Sequence, residues 1–459
     1  MSLRFFEKIC HSSAISCPHH AAPNLPFKMA KLSSLSKEQP DYAFEMVCST
    51  IRFGRGVTAE VGQDVKNLQS ANTLLVTDKN VANTNAFKET TSSLKRYGVK
   101  FQVFDDVLIE PTDKSMLKAV EFAKNGRFDC FVAVGGGSVI DTTKTAALYA
   151  SNPQADFLDF IGPPFGKSKT PENPMLPLIA VPTTAGTGSE TTGAAILDLP
   201  QHKCKTGIRL RCIKPYLAII DPLNVFRQAN MPRNVAIYSG FDVLCHALES
   251  YTAISYNQST SPYQPCRSTF VSGLKSDFRI MGLYFRRAVA DTSDEEACTQ
   301  MLMASSFAGM GFGNAGVHLC HGLSYPISSQ VSSYYDPDYP RAKALIPHGL
   351  SVVTTAVADF ELLAPICHQR MGEAAKLLGA NVSERAKPAD VGKYLCDEIR
   401  SFMRDFKVPN GLKEMGFKKG DIDSLTEAAM HSVPNIAISP TKVDKEIIQS
   451  IYEKSISVY

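Results

Sequence analysis

From Thr73 to Val181 short apolar runs alternate with helical stretches, and few folds accept that alternation. Thr73–Thr77 (TLLVT) reads as a strand ended by Asp78, with a helical stretch following towards Tyr97. Val99–Phe104 reads as a second strand, and Asp113–Lys124 as a helix capped by Thr112 or Asp113. Asp129–Val134 (DCFVAV) and Leu176–Val181 are apolar runs of the kind buried on both faces. Strands and helices in this order predict a parallel sheet covered by helices on both sides.

Both buried strands run straight into loops of small residues. The first opens GGGSVIDTTKTAALYA, a glycine turn leading into a helix. Gly135, Gly136 and Gly137 lie at the C-terminal end of a strand, where open α/β sheets bind ligands. Glycines there let the backbone approach closely, and the amide groups and positive end of the next helix favour a pyrophosphate. Ser138 adds a hydroxyl, and Asp141 of the same motif is taken with the cofactor site. A plain tight turn is the alternative, since GGGS is not the GxGxxG fingerprint. The second loop, PTTAGTGSETT at 182–192, clusters Thr183, Thr184, Thr187, Ser189, Thr191 and Thr192 around two glycines. Hydroxyls on such a loop suit phosphate and ribose oxygens. Asp78 is placed to accept from a ribose hydroxyl and to repel a 2′-phosphate, which favours NAD over NADP.

A different chemistry lies between Gly240 and Gly349. Asp242 and His246 in GFDVLCHALE are four apart, so on a helix they share a face. His318 and His321 follow in GNAGVHLCHGLSYP, and His348 in IPHG. One carboxylate and several imidazoles suit a divalent transition metal. Taken alone, an Asp-x3-His pair is more often a hydrogen-bonded structural pair. The six remaining histidines (His11, His19, His20, His202, His368 and His431) are isolated and read as surface or loop residues.

Composition narrows the class. A net charge of +3 gives no argument for nucleic acid or a membrane surface, and no run approaches the eighteen or so apolar residues of a spanning helix. Twelve cysteines without a CxxC pair are no disulfide framework and indicate a reducing compartment. Residues 1–36 stand apart: Glu7 is their only acid, against Arg4, Lys8, Lys28 and Lys31, with serines interspersed. An acid-poor, basic leader without a continuous apolar stretch reads as a mitochondrial transit peptide, with a disordered tail as the alternative.

The motifs GGGSVIDTTK, PTTAGTGSE, IIDP, GFDVLCHALE, AGMGFGNAG through HG, and IPHG follow one another in the order of the iron-containing (group III) alcohol dehydrogenases. From about Phe53 onward the chain resembles that family. The resemblance implies an α/β Rossmann-like dinucleotide-binding domain at 41–221 and an all-α, metal-binding domain at 222–459, the dehydroquinate synthase-like arrangement. It implies NAD, either tightly bound or exchanging, and a divalent metal, Fe2+ or Zn2+, held by Asp242, His246, His321 and His348. Tyr325 stands where most relatives have a second histidine with a proton-relay role, and His318 has no ligand counterpart, so it is placed behind a ligand or facing substrate. Extra residues around Tyr256–Phe270 and Gln330–Leu345 lie near the expected mouth of the site.

Within the family the wording is similar to that of the mitochondrial hydroxyacid-oxoacid transhydrogenases. That resemblance implies a matrix enzyme, homo-oligomeric and at its simplest a dimer, acting on small hydroxy and oxo acids. The reaction it implies is oxidation of 4-hydroxybutyrate to succinic semialdehyde coupled to reduction of 2-oxoglutarate to D-2-hydroxyglutarate. The alternatives are an NAD-dependent alcohol dehydrogenase that releases NADH and a non-catalytic NAD-binding protein. Carboxylate substrates call for a cation at the pocket, and Lys205, Arg209, Arg211 and Arg267 are the candidates.

Overall fold

The computed structural model describes residues 46–225, 231–255, 258, 271–340 and 343–459. The leader at 1–36, Arg267 and nearly all of the 256–270 insertion lie outside the described residues.

Eight strands are formed: β1 (Thr50–Phe53), β2 (Thr73–Val76), β3 (Phe101–Phe104), β4 (Cys130–Gly135), β5 (Leu178–Pro182), β6 (Ala194–Leu199), β7 (Cys204–Arg209) and β8 (Leu217–Ile220). Six of them make one parallel sheet in the order β1-β8-β5-β4-β2-β3, and β6 and β7 pair as a separate antiparallel hairpin. The crossovers are α2 (Asn85–Arg96), α3 (Asp113–Gly126) and α4 (Gly137–Ser151), with α1 (Val61–Asn67) before β2. β2 and β4 are buried along their whole length, so apolar side chains are needed on both faces and no polar alternation shows. Thr112 caps α3 as expected, its side chain accepting from the Ser115 amide while Ser115 bonds back.

The chain runs from β2 outward to β3, then crosses back to β4 on the other side of β2 and continues to β5. The crossovers leaving β2 and β4 therefore diverge, which opens a crevice beyond the carboxyl ends of these two strands. Asp78 follows β2 there, and Gly135–Gly137 close β4.

After β8 the described regular structure is helical: α5 (Arg233–Thr252), α6 (Val271–Ala290), α7 (Glu295–Ala315), α8 (Leu319–Ser329), α9 (His348–Leu378), α10 (Pro388–Phe406), α11 (Ile422–Ala429), α12 (Val433–Ile436) and α13 (Lys445–Lys454). From Ile237 to Thr252, α5 is buried on nearly every side, as a helix at the centre of a bundle must be. Phe241 of α5 meets Phe285 of α6 and Phe406 of α10 edge-on, at ring separations of 5.4 and 5.7 Å. Helix α9 is by length and composition long enough and apolar enough to cross a bilayer, but 72% of its apolar window is buried inside the protein, as in a core helix.

Candidate metal and dinucleotide site

Three helices bring the Asp/His set together. Asp242 and His246 stand one turn apart on α5, His321 lies in the first turn of α8, and His348 opens α9. The Nε2 atoms of His246, His321 and His348 lie 3.6, 3.3 and 3.5 Å from one oxygen, Asp242 Oδ1. Four donors held tetrahedrally at about 2.1 Å from an ion stand about 3.4 Å from one another. The spacings to Asp242 match that edge, and Asp242, His246 and His321 bring donor atoms within 4.8 Å of one another, so these residues fit a bound divalent metal, with His348 beside them through Asp242. His246 is held in orientation by stacking on Phe312 at 4.0 Å and on His321 at 4.4 Å. Gly349 is what lets α9 start here: a Cβ on it would lie 1.9 Å from the Tyr238 carbonyl oxygen of α5.

The electrostatics of the set are those of a buried anion among imidazoles. Burial pushes the Asp242 carboxyl up, yet His246, His348 and His321 outweigh it and hold the group well below the carboxylate range. Burial takes His246 down to about 3, which leaves a neutral imidazole with a free lone pair. For His321 burial also acts downward, but Glu249 and Asp242 on either side raise it to about 10.

Glu249 was not singled out by the sequence reading, although Asp242, His246 and Glu249 recur at helical spacing along one face of α5. It is fully buried, takes the Nδ1 side of His321 in a short contact, and accepts from the backbone amides of His318 (2.9 Å) and His321 (3.3 Å). A carboxylate behind a ligating imidazole fixes its tautomer and aims its other nitrogen. Glu249→Gln keeps the shape and removes the charge. It is expected to weaken metal retention about 10- to 100-fold, measured as metal per chain after dialysis against a graded chelator.

His318 sits elsewhere than facing substrate. It is fully buried, its Nε2 is 2.9 Å from the Thr252 hydroxyl, and its Nδ1 lies 3.6 Å from Glu249 and 3.8 Å from Asp359. It does not line the cavity described below, and burial lowers it to about 4. In this structure it stands beside Glu249 and away from the cavity wall.

At the other end, α4 starts at Gly136 with no side chain capping it, so its amino end faces the crevice. The two small-residue loops pack directly on each other there: a Cβ on Gly137 would lie 2.6 Å from Thr187 Cγ2. Ser138 Oγ accepts from the Glu110 amide at 3.2 Å. Gly137, Ser138, Asp141 and Thr187 reach the cavity, whereas Gly135, Gly136, Thr183 and Thr184 lie behind it in the turn. Asp78 is away from the cavity wall, and its Oδ1 accepts from the amides of Asn80 (2.8 Å) and Val81 (3.0 Å).

Asp141 binds protein on both oxygens. Oδ2 accepts from the Ile196 amide at 2.9 Å, and Oδ1 takes a short bond from Ser189 and lies 3.5 Å from Lys144 Nζ. Lys144, with no exposed side-chain surface, also reaches Ser189 Oγ (2.7 Å), Thr192 Oγ1 (3.3 Å) and the Ala194 carbonyl (2.7 Å). Burial pushes Asp141 up and Lys144 down. The pair ties α4 to the 182–192 loop. Asp141 thus shapes the cofactor loops rather than offering a free carboxylate to a ligand, and Lys144, present in the same motif, is its missed partner.

One cavity of about 610 Å³ joins the two ends. Ser138 and Thr187, the set Asp242, His246, His321 and His348, and Lys205, Arg209 and Tyr325 all line it. That is room for a ligand of drug size or larger. Tyr325 is 4% exposed, and burial keeps its hydroxyl protonated despite the neighbouring Arg209, so it serves as a hydrogen-bond donor.

Comparison with known proteins adds the lineage. Residues 48–222 match the family model described as iron-containing alcohol dehydrogenase, and residues 236–456 match the Fe-containing alcohol dehydrogenase family, C-terminal. The chain belongs to the iron-containing alcohol dehydrogenase family. It is therefore an oxidoreductase, with NAD and a divalent metal as the family's cofactors. Among its relatives is a protein of Caenorhabditis briggsae named hydroxyacid-oxoacid transhydrogenase, mitochondrial, 65% identical over 96% of each chain. The Homo sapiens protein of that name is 45% identical over 97% of this chain and 96% of its own. Among solved structures, alcohol dehydrogenase from Oenococcus oeni superposes with a TM-score of 0.77 at 26% identity, covering 91% of this chain and all (100%) of its own. An archaeal alcohol dehydrogenase from a Red Sea brine pool gives 0.78 at 25% identity, covering 91% of this chain and 99% of its own.

Proposed function

We propose that this family member is a mitochondrial hydroxyacid-oxoacid transhydrogenase, oxidising 4-hydroxybutyrate to succinic semialdehyde and reducing 2-oxoglutarate to D-2-hydroxyglutarate with one NAD. The observation that carries the reading is the single cavity, lined together by the dinucleotide loops, the Asp/His set and four cations, Lys205, Arg209, Arg211 and Lys214. The names of the relatives agree with it. Residues 41–221 are assigned to the dinucleotide and 222–459 to the metal, with a homodimer as the assembly. The basic leader at 1–36 fits a matrix enzyme.

Asp242, His246, His321 and His348 would hold the metal, and iron and zinc both suit one carboxylate and three imidazoles. A bound divalent cation stabilises an alkoxide and polarises a carbonyl, while the nicotinamide carries the hydride. The residues of the chain supply the rest. Glu249 keeps His321 in the tautomer that points Nε2 at the site. Tyr325, on the cavity wall with its hydroxyl protonated, is the group assigned to hydrogen-bond the reacting oxygen and to pass a proton. Ser138, Thr187 and the open end of α4 hold the dinucleotide across from the metal ligands. In the forward half-reaction the hydroxy acid loses a hydride and a proton, and in the reverse half the oxo acid gains both, so NAD is regenerated.

The test is a coupled assay on metal-loaded protein with no added nucleotide. Given 4-hydroxybutyrate and 2-oxoglutarate together, the enzyme is expected to form 2-hydroxyglutarate over many turnovers on retained cofactor. Product only with added NAD, alongside steady NADH release from the alcohol alone, would identify a plain NAD-linked dehydrogenase instead.

A further inference from the structure

The cavity wall carries more than one cation, and their surroundings differ. Lys205 on β7 is 5% exposed and in short contact with Glu110. Its charge is already matched by a carboxylate that would have to be displaced before a substrate anion could pair. Arg211, beyond the strand, is exposed and has a partner of its own. Arg209, the last residue of β7, is half-buried and has no carboxylate within ion-pair distance among the described residues. One guanidinium nitrogen donates to Asn435 Oδ1 at 2.9 Å, and Asn435 in turn donates to the Val317 carbonyl at 3.0 Å. Arg209 has Tyr325 as a neighbour on the same wall. It is therefore aimed and held by neutral groups only, with donors left over.

We infer that Arg209, positioned by Asn435, is the group that binds the substrate carboxylate, and that the same guanidinium serves both half-reactions. This rests on the transhydrogenase reading. Tyr325 stands one helical turn after His321, and Arg209 and Tyr325 line the same cavity as the ligand set. In 4-hydroxybutyrate the carboxylate is the third carbon along from the hydroxyl-bearing carbon. In 2-oxoglutarate the distal carboxylate is likewise the third carbon from the keto carbon. Three single bonds reach about 3.8 Å when extended, and a charge-assisted hydrogen bond adds about 2.8 Å. Two substrates that differ in length and charge thus present one carboxylate at one distance from the reacting carbon. A single planar, bidentate cation then fits both without moving.

The experiment compares kcat/KM for 4-hydroxybutyrate and for 1-butanol in NAD-supported oxidation, and kcat/KM for 2-oxoglutarate in the coupled reaction, using full-length metal-loaded enzyme. Arg209→Gln is expected to lower the 4-hydroxybutyrate-to-butanol ratio about 100-fold and to lower 2-oxoglutarate use by a similar factor, chiefly through KM. Arg209→Lys is expected to restore part of both. Asn435→Asp is the second variant: it leaves β7 untouched, places a carboxylate against Arg209, and is expected to reproduce the loss. An unchanged ratio in Arg209→Gln and Asn435→Asp overturns the assignment, as does loss confined to one acid. Loss on Lys205→Gln in place of Arg209→Gln moves the role to Lys205 and overturns it too. Wild-type protein that oxidises 4-hydroxybutyrate with NAD but never reduces 2-oxoglutarate sinks the transhydrogenase reading and the shared role, while the ratio still judges Arg209 as the anchor. Wild-type protein that oxidises butanol but no hydroxy acid overturns both.

Discussion

His348→Ala is expected to reduce turnover about a thousandfold, the equivalent of about 4 kcal/mol in the barrier, while leaving the fold in place. The reason is positional. His348 is the first residue of α9, its side chain is 26% exposed towards the cavity, and its Nε2 is 3.5 Å from Asp242 Oδ1. Alanine at the start of a helix is tolerated, and no apolar packing is lost. What disappears is the one imidazole of the set that reaches the site from α9, which turns a four-donor site into a three-donor one. Metal content, thermal unfolding and turnover should therefore separate: metal per chain and activity fall together, and the melting temperature of the metal-free protein barely moves. Chelator-treated wild type should behave the same way and regain activity on metal addition, whereas the variant should not at stoichiometric metal. A variant with full activity would refute the ligand assignment. A variant that simply unfolds would recast His348 as a structural residue, the outcome expected of a non-catalytic protein on this fold.

The parts of this molecule legible from residues alone are those whose physics is local. Strands β2 and β4 announce themselves because burial on both faces demands unbroken apolar runs, and Thr112 marks the start of α3 because it caps an otherwise open helix end. The hairpin was less readable. The charges at 203–214 carry no mark of burial, yet β7 is buried from Cys204 to Ile208 and pairs with β6 as far back as Ala194. Lys205 defeats the reading there, since its burial depends on Glu110, 95 positions away. The same holds at the site. Asp242 and His246 share a helix face, so their spacing is informative, whereas His321 and His348 join them only through the packing of α8 and α9. His318 and His321 look equivalent as neighbours in sequence. The difference is that His318 closes the start of α8 and turns towards Thr252, while His321 lies three residues further on and faces Asp242. Glu249 and Lys144 were inside the quoted motifs and still passed over, because a charge's burial and partner are tertiary facts.

Lys144 carries the second large effect. Its ammonium has no exposed surface and is satisfied by Asp141, Ser189, Thr192 and the Ala194 carbonyl, which belong to α4, to the 182–192 loop and to β6. Lys144→Met preserves length and apolar contact but leaves Asp141 buried without its counter-ion. Removing one partner of a buried pair destabilises a protein by about 3–5 kcal/mol, and chemical denaturation of the metal-loaded variant should show a loss in that range. The sign follows from burial: it already pushes Asp141 up and Lys144 down, so the isolated carboxyl is expected to take up a proton rather than remain ionised. A protonated Asp141 can still accept from Ile196, which would recover part of the loss and make the variant's stability less dependent on that charge. The functional consequence is separate from the energetic one. Gly137 and Thr187 are in van der Waals contact across the two loops, and the Asp141–Lys144 pair with Ser189 is the polar tie that keeps them so. Once that tie loosens, affinity for the dinucleotide should fall while the metal content stays near wild type, because Asp242, His246, His321 and His348 sit on helices that Lys144 does not touch. Equal loss of metal and nucleotide would show that the two ends of the cavity are coupled through the fold, and an unchanged nucleotide affinity would show that the loops hold their shape without the pair.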